Sequence, residues 1–292
     1  MNISVIGSGW VGTLIGRTFA CRNNTVIFFD INKKRIAELN EQDLDATDNI
    51  SYAVGNTDIS FITVPTPEKD DKINLEYIER AIENIGAELK NKQSYHLVVI
   101  KSTVIPGTTE TVIKNILEKT SNRKVGEHIG LCMNPEFLTQ IHNSWIGNDS
   151  FKRTPETEER VVIGEYDKKS GDMLEQLYKP FNIPIFRVDL KTAEFIKYAA
   201  NCCLSTRITF WNEMFLIARE AGIDSNKVAE IVSMDKRIGK YGIVHGKAFG
   251  GTCFPKDLKA FVSWAKQYHK TELLQAVDNI NEYMRKKYGV RE

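Results

Sequence analysis

The first thirty residues restrict the fold more than any others. Met1-Asn2-Ile3-Ser4-Val5-Ile6 reads as a buried strand, Gly7-Ser8-Gly9-Trp10-Val11-Gly12 follows at once, and a helical pattern opens inside that glycine run. Glycines at Gly7, Gly9 and Gly12 permit a tight turn, close approach of a ligand to the backbone, and close packing of helix on strand. A second apolar run, 26–29, ends at Asp30, eighteen residues after Gly12, where a carboxylate can accept hydrogen bonds from ribose hydroxyls. Together these residues spell a strand, turn and helix that hold a dinucleotide, with its pyrophosphate at the helix N-terminus. Asp30 would repel a ribose 2′-phosphate, so the expected cofactor is NAD rather than NADP. Lys33, Lys34 and Arg35 can in principle soften that repulsion, although a charged run opening a helix is more often a solvated face.

Short apolar runs then alternate with helical patterns through about 190 residues, as in repeated βαβ units. Strands are expected at 3–6, 26–29, 59–64, 96–100, 129–133, 161–163 and 185–188. Turn residues follow several of them: Gly7, Asp30, Pro65-Thr66-Pro67, Ser102-Thr103 and Asn134-Pro135. In an open parallel sheet that edge binds ligands. From Thr192 a helical stretch of about thirty residues runs to near Gly222, apolar nearly all round as a buried helix is. Helices are expected next at 225–233 and 258–268, and from Glu272 to the chain end. The expected fold is a Rossmann-type doubly wound parallel sheet over residues 1–190, followed by an all-helical domain over 191–292.

Thirty-nine Lys and Arg against 38 Asp and Glu leave no basic surface for a polyanion, so nucleic acid is not an expected partner. Cys21, Cys132, Cys202, Cys203 and Cys253 are odd in number and lack the paired spacings of a disulfide framework or a zinc site. No metal is expected, and a reducing cytoplasm fits. The N-terminus enters a strand without a basic leader, and no apolar run approaches the roughly 18 residues a bilayer requires.

Three segments carry reactive groups. In Phe249-Gly250-Gly251-Thr252-Cys253-Phe254-Pro255-Lys256-Asp257 a cysteine sits in a glycine-rich turn, with a cation and a carboxylate three and four residues on. Such a turn exposes sulfur, and Lys256 or a helix beginning near Asp257 could favour the thiolate. A buried, inert cysteine is the commoner fate of the residue. Lys197 and Asn201 stand four apart on the long helix and share a face, where buried polar groups need partners. A satisfied core pair, such as Lys197 with Glu194 or another carboxylate, explains them equally well. Glu136, in Asn134-Pro135-Glu136-Phe137-Leu138, lies just past a strand end on the ligand side of the sheet.

Taken in order with Val64-Pro65-Thr66-Pro67, Lys101-Ser102-Thr103-Val104, Glu194 to Asn201 and Arg237-Ile238-Gly239, these blocks resemble the UDP-glucose/GDP-mannose dehydrogenase family over essentially the whole chain. The resemblance implies two successive NAD-dependent oxidations of a nucleotide-sugar C6 alcohol to the carboxylate, through a covalent intermediate on Cys253. It implies that Lys197 and Asn201 stabilise developing oxygen charge, that Asp257 and Thr103 hold a water, and that Glu136 is the base for thioester hydrolysis. It adds Trp10, Val11, Arg35, Thr66, Thr103 and Lys256 as cofactor contacts beside the glycines and Asp30. Substrate contacts are implied for Glu136, Phe137, Leu138, Lys197, Asn201, Phe249, Gly250 and Arg237, the last reaching a neighbouring subunit and so implying a functional homodimer.

Cys253-Phe254-Pro255-Lys256-Asp257 is closer to the wording of the UDP-glucose branch than to that of the GDP-mannose branch. Thr139-Gln140-Ile141 departs from the family's usual Glu-Gly pair, and Tyr241 sits one position early relative to the aromatic that usually follows Arg-Ile-Gly. The family chain ordinarily continues into a second Rossmann-like domain that holds the nucleotide. This sequence ends on a helix with an apolar face of Leu273, Leu274, Ala276, Val277, Ile280 and Tyr283, which a dimer mate or a separately encoded nucleotide-binding domain could cover unless the face packs within its own subunit. On that reading the chain alone binds NAD well and the nucleotide sugar weakly. Two other functions compete: a two-electron dehydrogenase of the β-hydroxyacid type, and a non-catalytic NAD-binding subunit.

Overall fold

The computed structural model describes residues 1–139 and 153–291. They divide into two compact units: Met1–Pro67, Asn74–Leu138 and Thr154–Lys197 in the first, and Glu68–Ile73, Thr139, Arg153 and Tyr198 onward in the second.

Among its described residues the first unit is built on one eight-stranded sheet. Its strands are β1 (Asn2–Ile6), β2 (Thr25–Phe29), β3 (Ala46–Thr47), β4 (Ile59–Ile62), β7 (His96–Ile100), β8 (Ile129–Met133), β9 (Val161–Glu165) and β10 (Ile185–Asp189). The order is β10-β9-β8-β7-β4-β1-β2-β3. All neighbours run parallel except β8 and β9, which pair antiparallel through Cys132 with Glu165 and Met133 with Gly164. Apolar periodicity reports burial and not direction, so this reversal was not readable from the pattern. Side chains leave alternate faces of each strand. Val26, Phe28, Leu97 and Val99 join one apolar layer, and Ile27, Phe29, Val98 and Ile100 join the other. Both faces are therefore covered, as a doubly wound sheet requires. The chain leaves β1 for β2 on one side and reaches β4 on the other, so the switch point lies between the carboxyl ends of β1 and β4.

Helix α1 (Trp10–Ala20) follows β1, α2 (Lys33–Asn40) follows β2, and α3 (Ile50–Gly55) follows β3. The remaining helices of this unit are α4 (Glu76–Leu89), α5 (Lys114–Ser121, entered through a wider turn at Thr109–Ile113) and α6 (Lys168–Tyr178). Helix α7 (Leu190–Glu220) runs unbroken from the first unit into the second. It starts two residues earlier than the sequence suggests because Asp189 accepts the Thr192 amide at 2.8 Å and its hydroxyl at 2.6 Å, a side-chain cap. Glu194, fully buried on its first turns, accepts the Gly107 amide and, at 2.8 Å, that of Thr109. Burial pushes this carboxyl up to about 7 against the pull of those bonds. Helix α7 is not covered all round: Phe195, Phe210 and Ile217 are about half exposed in the single chain.

The second unit holds α8 (Ser225–Val232), α9 (Phe254–Ala265) and α10 (Glu272–Tyr288). Among its described residues the strands form two short pairs, a hairpin of β5 (Glu68–Lys69) with β6 (Lys72–Ile73), and β11 (Ala248–Phe249) parallel to β12 (Val290–Arg291). The hairpin, carried by the first half of the chain, packs against α9. The apolar face expected on α10 is divided. Val277 and Met284 are buried with Asn281 inside the unit, while Leu273 and Tyr283 stay exposed. No described helix is long and apolar enough to cross a membrane.

Candidate active site

The glycine loop has the constraints its sequence implies. Gly7 adopts φ +95°, in the region that favours glycine. A Cβ on Gly12 would lie 2.3 Å from the Gly7 carbonyl oxygen and 2.6 Å from Thr63 Oγ1, so no larger residue lets α1 approach β1 and β4 this closely. Gly9 is the N-cap of α1 and brings no side chain to its first amides, and a Cβ there would meet nothing within 4 Å. The turn thus leaves orphan N–H groups facing open space, the arrangement that takes a pyrophosphate. Trp10 is exposed beside them and Val11 half-buried.

Asp30 closes this corner. Its Oδ2 accepts the Ser8 amide at 2.8 Å and its Oδ1 the Asn32 amide at 2.9 Å. Arg35 is not part of a solvated face. Its guanidinium donates to the Ser8 carbonyl and to Thr13 Oγ1, each at 2.8 Å, and pairs with Glu38 at 3.0 Å. It braces the loop from α2, with each of its three nitrogens donating to one of these partners. The loops after β4 and β7 are joined where Thr66, buried, donates its hydroxyl to the Thr103 carbonyl at 2.8 Å. These residues fit a dinucleotide with free ribose hydroxyls.

Lys197 finds its partner at Glu136 and not at Glu194. Its ammonium donates to Glu136 Oε1 at 2.8 Å and to the Glu136 carbonyl at 2.7 Å, with side chains only 5% and 12% exposed. Burial works to raise the Glu136 carboxyl, but the charge and hydrogen bond of Lys197, the Leu138 amide and Lys101 outweigh it and hold it below the ordinary range. Two cations lie over the Phe137 ring, with Arg160 4.2 Å and Lys197 5.7 Å from its centre. Leu138 is half-buried against the sheet core. Gln140 and Ile141 lie outside the described residues.

In the second unit, Cys253 is the N-cap of α9, which begins at Phe254, four residues before the expected helix start. Its sulfur is exposed and 3.8 Å from Thr252 Oγ1. The turn before it needs glycine twice: Gly251 has φ +78°, and a Cβ on Gly250 would lie 2.2 Å from Val290 Cγ1. One helical turn past Cys253, Asp257 is 1% exposed and accepts Asn201 Nδ2 on one oxygen and Lys256 Nζ on the other, both at 2.6 Å. Asn201 therefore has the partner that its burial demands. The neighbouring Cys202 is buried, and burial together with the Asp257 charge pushes its thiol up to about 12, so it stays neutral where Cys253 is open to solvent.

Two candidates take other positions. Phe249 is 1% exposed, with its amide and carbonyl bonded to the side chain of Asn281, so it is a core side chain and offers no surface to a substrate. Arg237 is exposed and tied to Asp235 at 2.6 Å. Tyr241 is half-buried, and desolvation pushes its hydroxyl up to about 12. Residues the sequence did not single out are Asn281, Tyr178 and Glu158. No motif marks them, and each acts through a long-range hydrogen bond that only the fold creates.

The family model for the NAD binding domain of UDP-glucose/GDP-mannose dehydrogenases matches residues 1–47 and 40–182, and the model for the family's central domain matches 191–283. A GDP-mannose 6-dehydrogenase of Pseudomonas syringae pv. tomato is 36% identical over 283 residues, covering 89% of this chain and 63% of the relative. A UDP-glucose 6-dehydrogenase of Haloferax volcanii is 33% identical over 308 residues, covering 97% and 70%. The structure of a UDP-glucose dehydrogenase from Pyrobaculum islandicum superposes with a TM-score of 0.88 at 31% identity, covering 98% of this chain and 68% of that one. The chain thus spans less than two thirds of the length of the Pseudomonas relative. With both models matched in order and the dinucleotide loop, the Glu136–Lys197 pair and the Cys253 turn in place, the chain belongs to the UDP-glucose/GDP-mannose dehydrogenase family and carries its NAD-binding domain.

Proposed function

We propose that the chain takes part in the NAD-dependent, four-electron oxidation of a nucleotide-sugar C6 alcohol to the uronic acid. UDP-glucose is the first candidate, on the wording Cys253-Phe254-Pro255-Lys256-Asp257, and GDP-mannose the second, on the 36% identical relative of that name. The division of labour follows the sequence, with residues 1–190 for NAD and 191–292 for the nucleophile. The observation that carries the reading is Cys253 itself, an exposed thiol at a helix N-cap one turn from a buried Asp257 that already holds Asn201 and Lys256.

The Gly7–Gly12 loop and Asp30 would hold NAD, which would supply the hydride acceptor for each of the two oxidations. The chain's residues supply the rest. Lys197 and Asn201 donate to the C6 oxygen as its negative charge develops, and a water held by Asp257 and Thr103 takes the alcohol proton. Cys253 Sγ then bonds to C6 of the aldehyde and the oxygen gains a proton, giving a thiohemiacetal. After the second oxidation C6 is a thioester. Glu136 takes a proton from water, the hydroxide adds to C6, the C–S bond breaks, and the Cys253 thiol leaves as the acid forms. The pairs that hold Lys197 and Asn201 at rest, Glu136 and Asp257, are thus groups with proposed roles of their own.

The test is stoichiometry on a panel containing UDP-glucose and GDP-mannose. Two NADH per sugar with an acid product support the reading. One NADH per substrate supports the two-electron alternative, and cofactor binding without turnover supports the non-catalytic one. Cofactor choice is a separate expectation. Asp30 puts a negative charge where a 2′-phosphate would sit, and the Arg35 guanidinium is held against Ser8, Thr13 and Glu38. NADH should bind about tenfold or more tighter than NADPH in a fluorescence titration, and equal affinities would overturn the assignment.

A further inference from the structure

We propose that Lys101 is a positioning residue for Glu136 and Lys197: a buried ammonium that bonds Asn134 and Tyr178 and so locks the 134–138 loop, with the carboxylates it carries, in place. The inference rests on the proposed role of Glu136. Lys101 directly follows β7 and is only 3% exposed. An isolated ammonium there would cost several kcal/mol. Its hydrogen bonds go to neutral atoms: Asn134 Oδ1 at 2.8 Å, the Asn134 carbonyl at 3.3 Å and the Tyr178 hydroxyl at 3.4 Å. Burial lowers its proton affinity, and the charges that oppose this are Glu158 first and Glu136 second.

The same atoms fix the loop. Tyr178 donates its hydroxyl to Asn134 Oδ1 at 2.7 Å, Asn134 Nδ2 donates to the Val162 carbonyl at 2.8 Å, and the Asn134 amide donates to Ile100 at 2.8 Å. Asn134 has no freedom left, and Pro135 with its fixed φ hands that rigidity to Glu136. Beyond it the Phe137 amide donates to Glu158 Oε1 at 3.2 Å, and the Leu138 amide to Glu136 Oε2 at 2.7 Å. Glu136 is therefore faced by Lys197 from α7, by Lys101 from the position after β7 and by Glu158 from the segment before β9, while Arg160 stacks on the neighbouring Phe137 ring. Burial pushes the half-buried Glu158 carboxyl up while Glu136 is held down, the separation that leaves one carboxyl of a close set ionised and able to accept a proton.

The experiment is carbon-detected NMR titration of the glutamate side-chain carboxyls, with Glu136 and Glu158 assigned from Glu136→Gln and Glu158→Gln. In Lys101→Met both midpoints rise, each by about half a pH unit or more, because both carboxylates lose a cation. The acidic limb of kcat for acid formation moves up with Glu136, and KM changes by less than about threefold. Unchanged midpoints in Lys101→Met would overturn the proposal and leave Lys101 a purely structural residue. Should Lys101→Met fail to fold, Glu136→Gln supplies the test: the Glu158 midpoint falls when its like-charged neighbour is removed, and a fixed midpoint refutes the coupling. Titration needs no turnover. A chain inactive on every nucleotide sugar would therefore sink the proposed function and leave this inference standing.

Discussion

Cys253→Ser abolishes net acid formation while the protein stays folded and still binds NADH. The expected loss in steady-state turnover is about a thousandfold or more, the scale on which removal of a catalytic nucleophile acts. Loss of fold does not explain it, because Cys253 is the N-cap of α9 and makes no side-chain cap bond. Serine is among the best N-cap residues and is worth about 1 kcal/mol there, so the melting temperature should hold or rise. Cys253→Ala separates the steps further, since without a nucleophile the aldehyde cannot be held as a thiohemiacetal and acid should not accumulate. Alkylation gives an independent reading, but it has to be scored by the mass of the peptide that carries Cys253, because Cys21 and Cys203 are also exposed. Substrate should protect Cys253 and leave those two unprotected. Acid formation at the wild-type rate by Cys253→Ala would remove the covalent step from the mechanism.

Much of the first unit is legible in the sequence because its constraints are local. The turn at Gly7, the packing of Gly12 against β1 and β4, and the carboxylate at the end of β2 are each encoded within a few residues. The buried strands read well because they are continuous apolar runs. The reversal of β9 does not, since strand direction leaves no trace in such a run. The two-residue strands β3, β5 and β6 are too short to show a period. In the site, residue types were readable and partnerships were not. A helical spacing of four places Lys197 and Asn201 on one face, but only the fold shows that Lys197 chooses Glu136 over Glu194, three residues away on its own helix, and that Glu194 instead caps the turn at Gly107 and Thr109. Arg35 read as a surface charge for the same reason, because its partners Ser8 and Thr13 lie on the far side of a strand crossover. The start of α9 was misplaced because Phe254 and Pro255 do not look like a first turn, although proline is favoured there, and the shift put Cys253 on the cap itself.

The ion pair between Lys197 and Glu136 decides how the second large effect must be measured. Lys197→Ala removes a donor to the developing oxygen charge, worth about a hundredfold to a thousandfold in kcat, but it also strands the largely buried Glu136 carboxylate. Breaking such a pair from one side costs about 3–5 kcal/mol, so the single variant loses both stability and activity and cannot apportion them. The sign with pH follows from the depressed Glu136 carboxyl. Its folded value lies below its unfolded one, so its contribution to stability is present above the unfolded value and is lost as pH falls through the folded one. Lys197→Met cancels most of that contribution, and the melting temperatures of wild type and variant should converge as the solution is made acidic. Glu136→Gln in the Lys197→Met background removes the stranded charge altogether, and the double variant should recover most of the lost melting temperature at neutral pH while turnover stays down by at least the hundredfold of the lost donor. Because Glu136 is itself the proposed hydrolytic base, the reference for turnover is Glu136→Gln alone, and stability restored with turnover well below that reference is what a catalytic lysine produces. If the double variant turns over as fast as Glu136→Gln alone, Lys197 is a core cation satisfied by a core carboxylate, and the charge at C6 must be met by another donor.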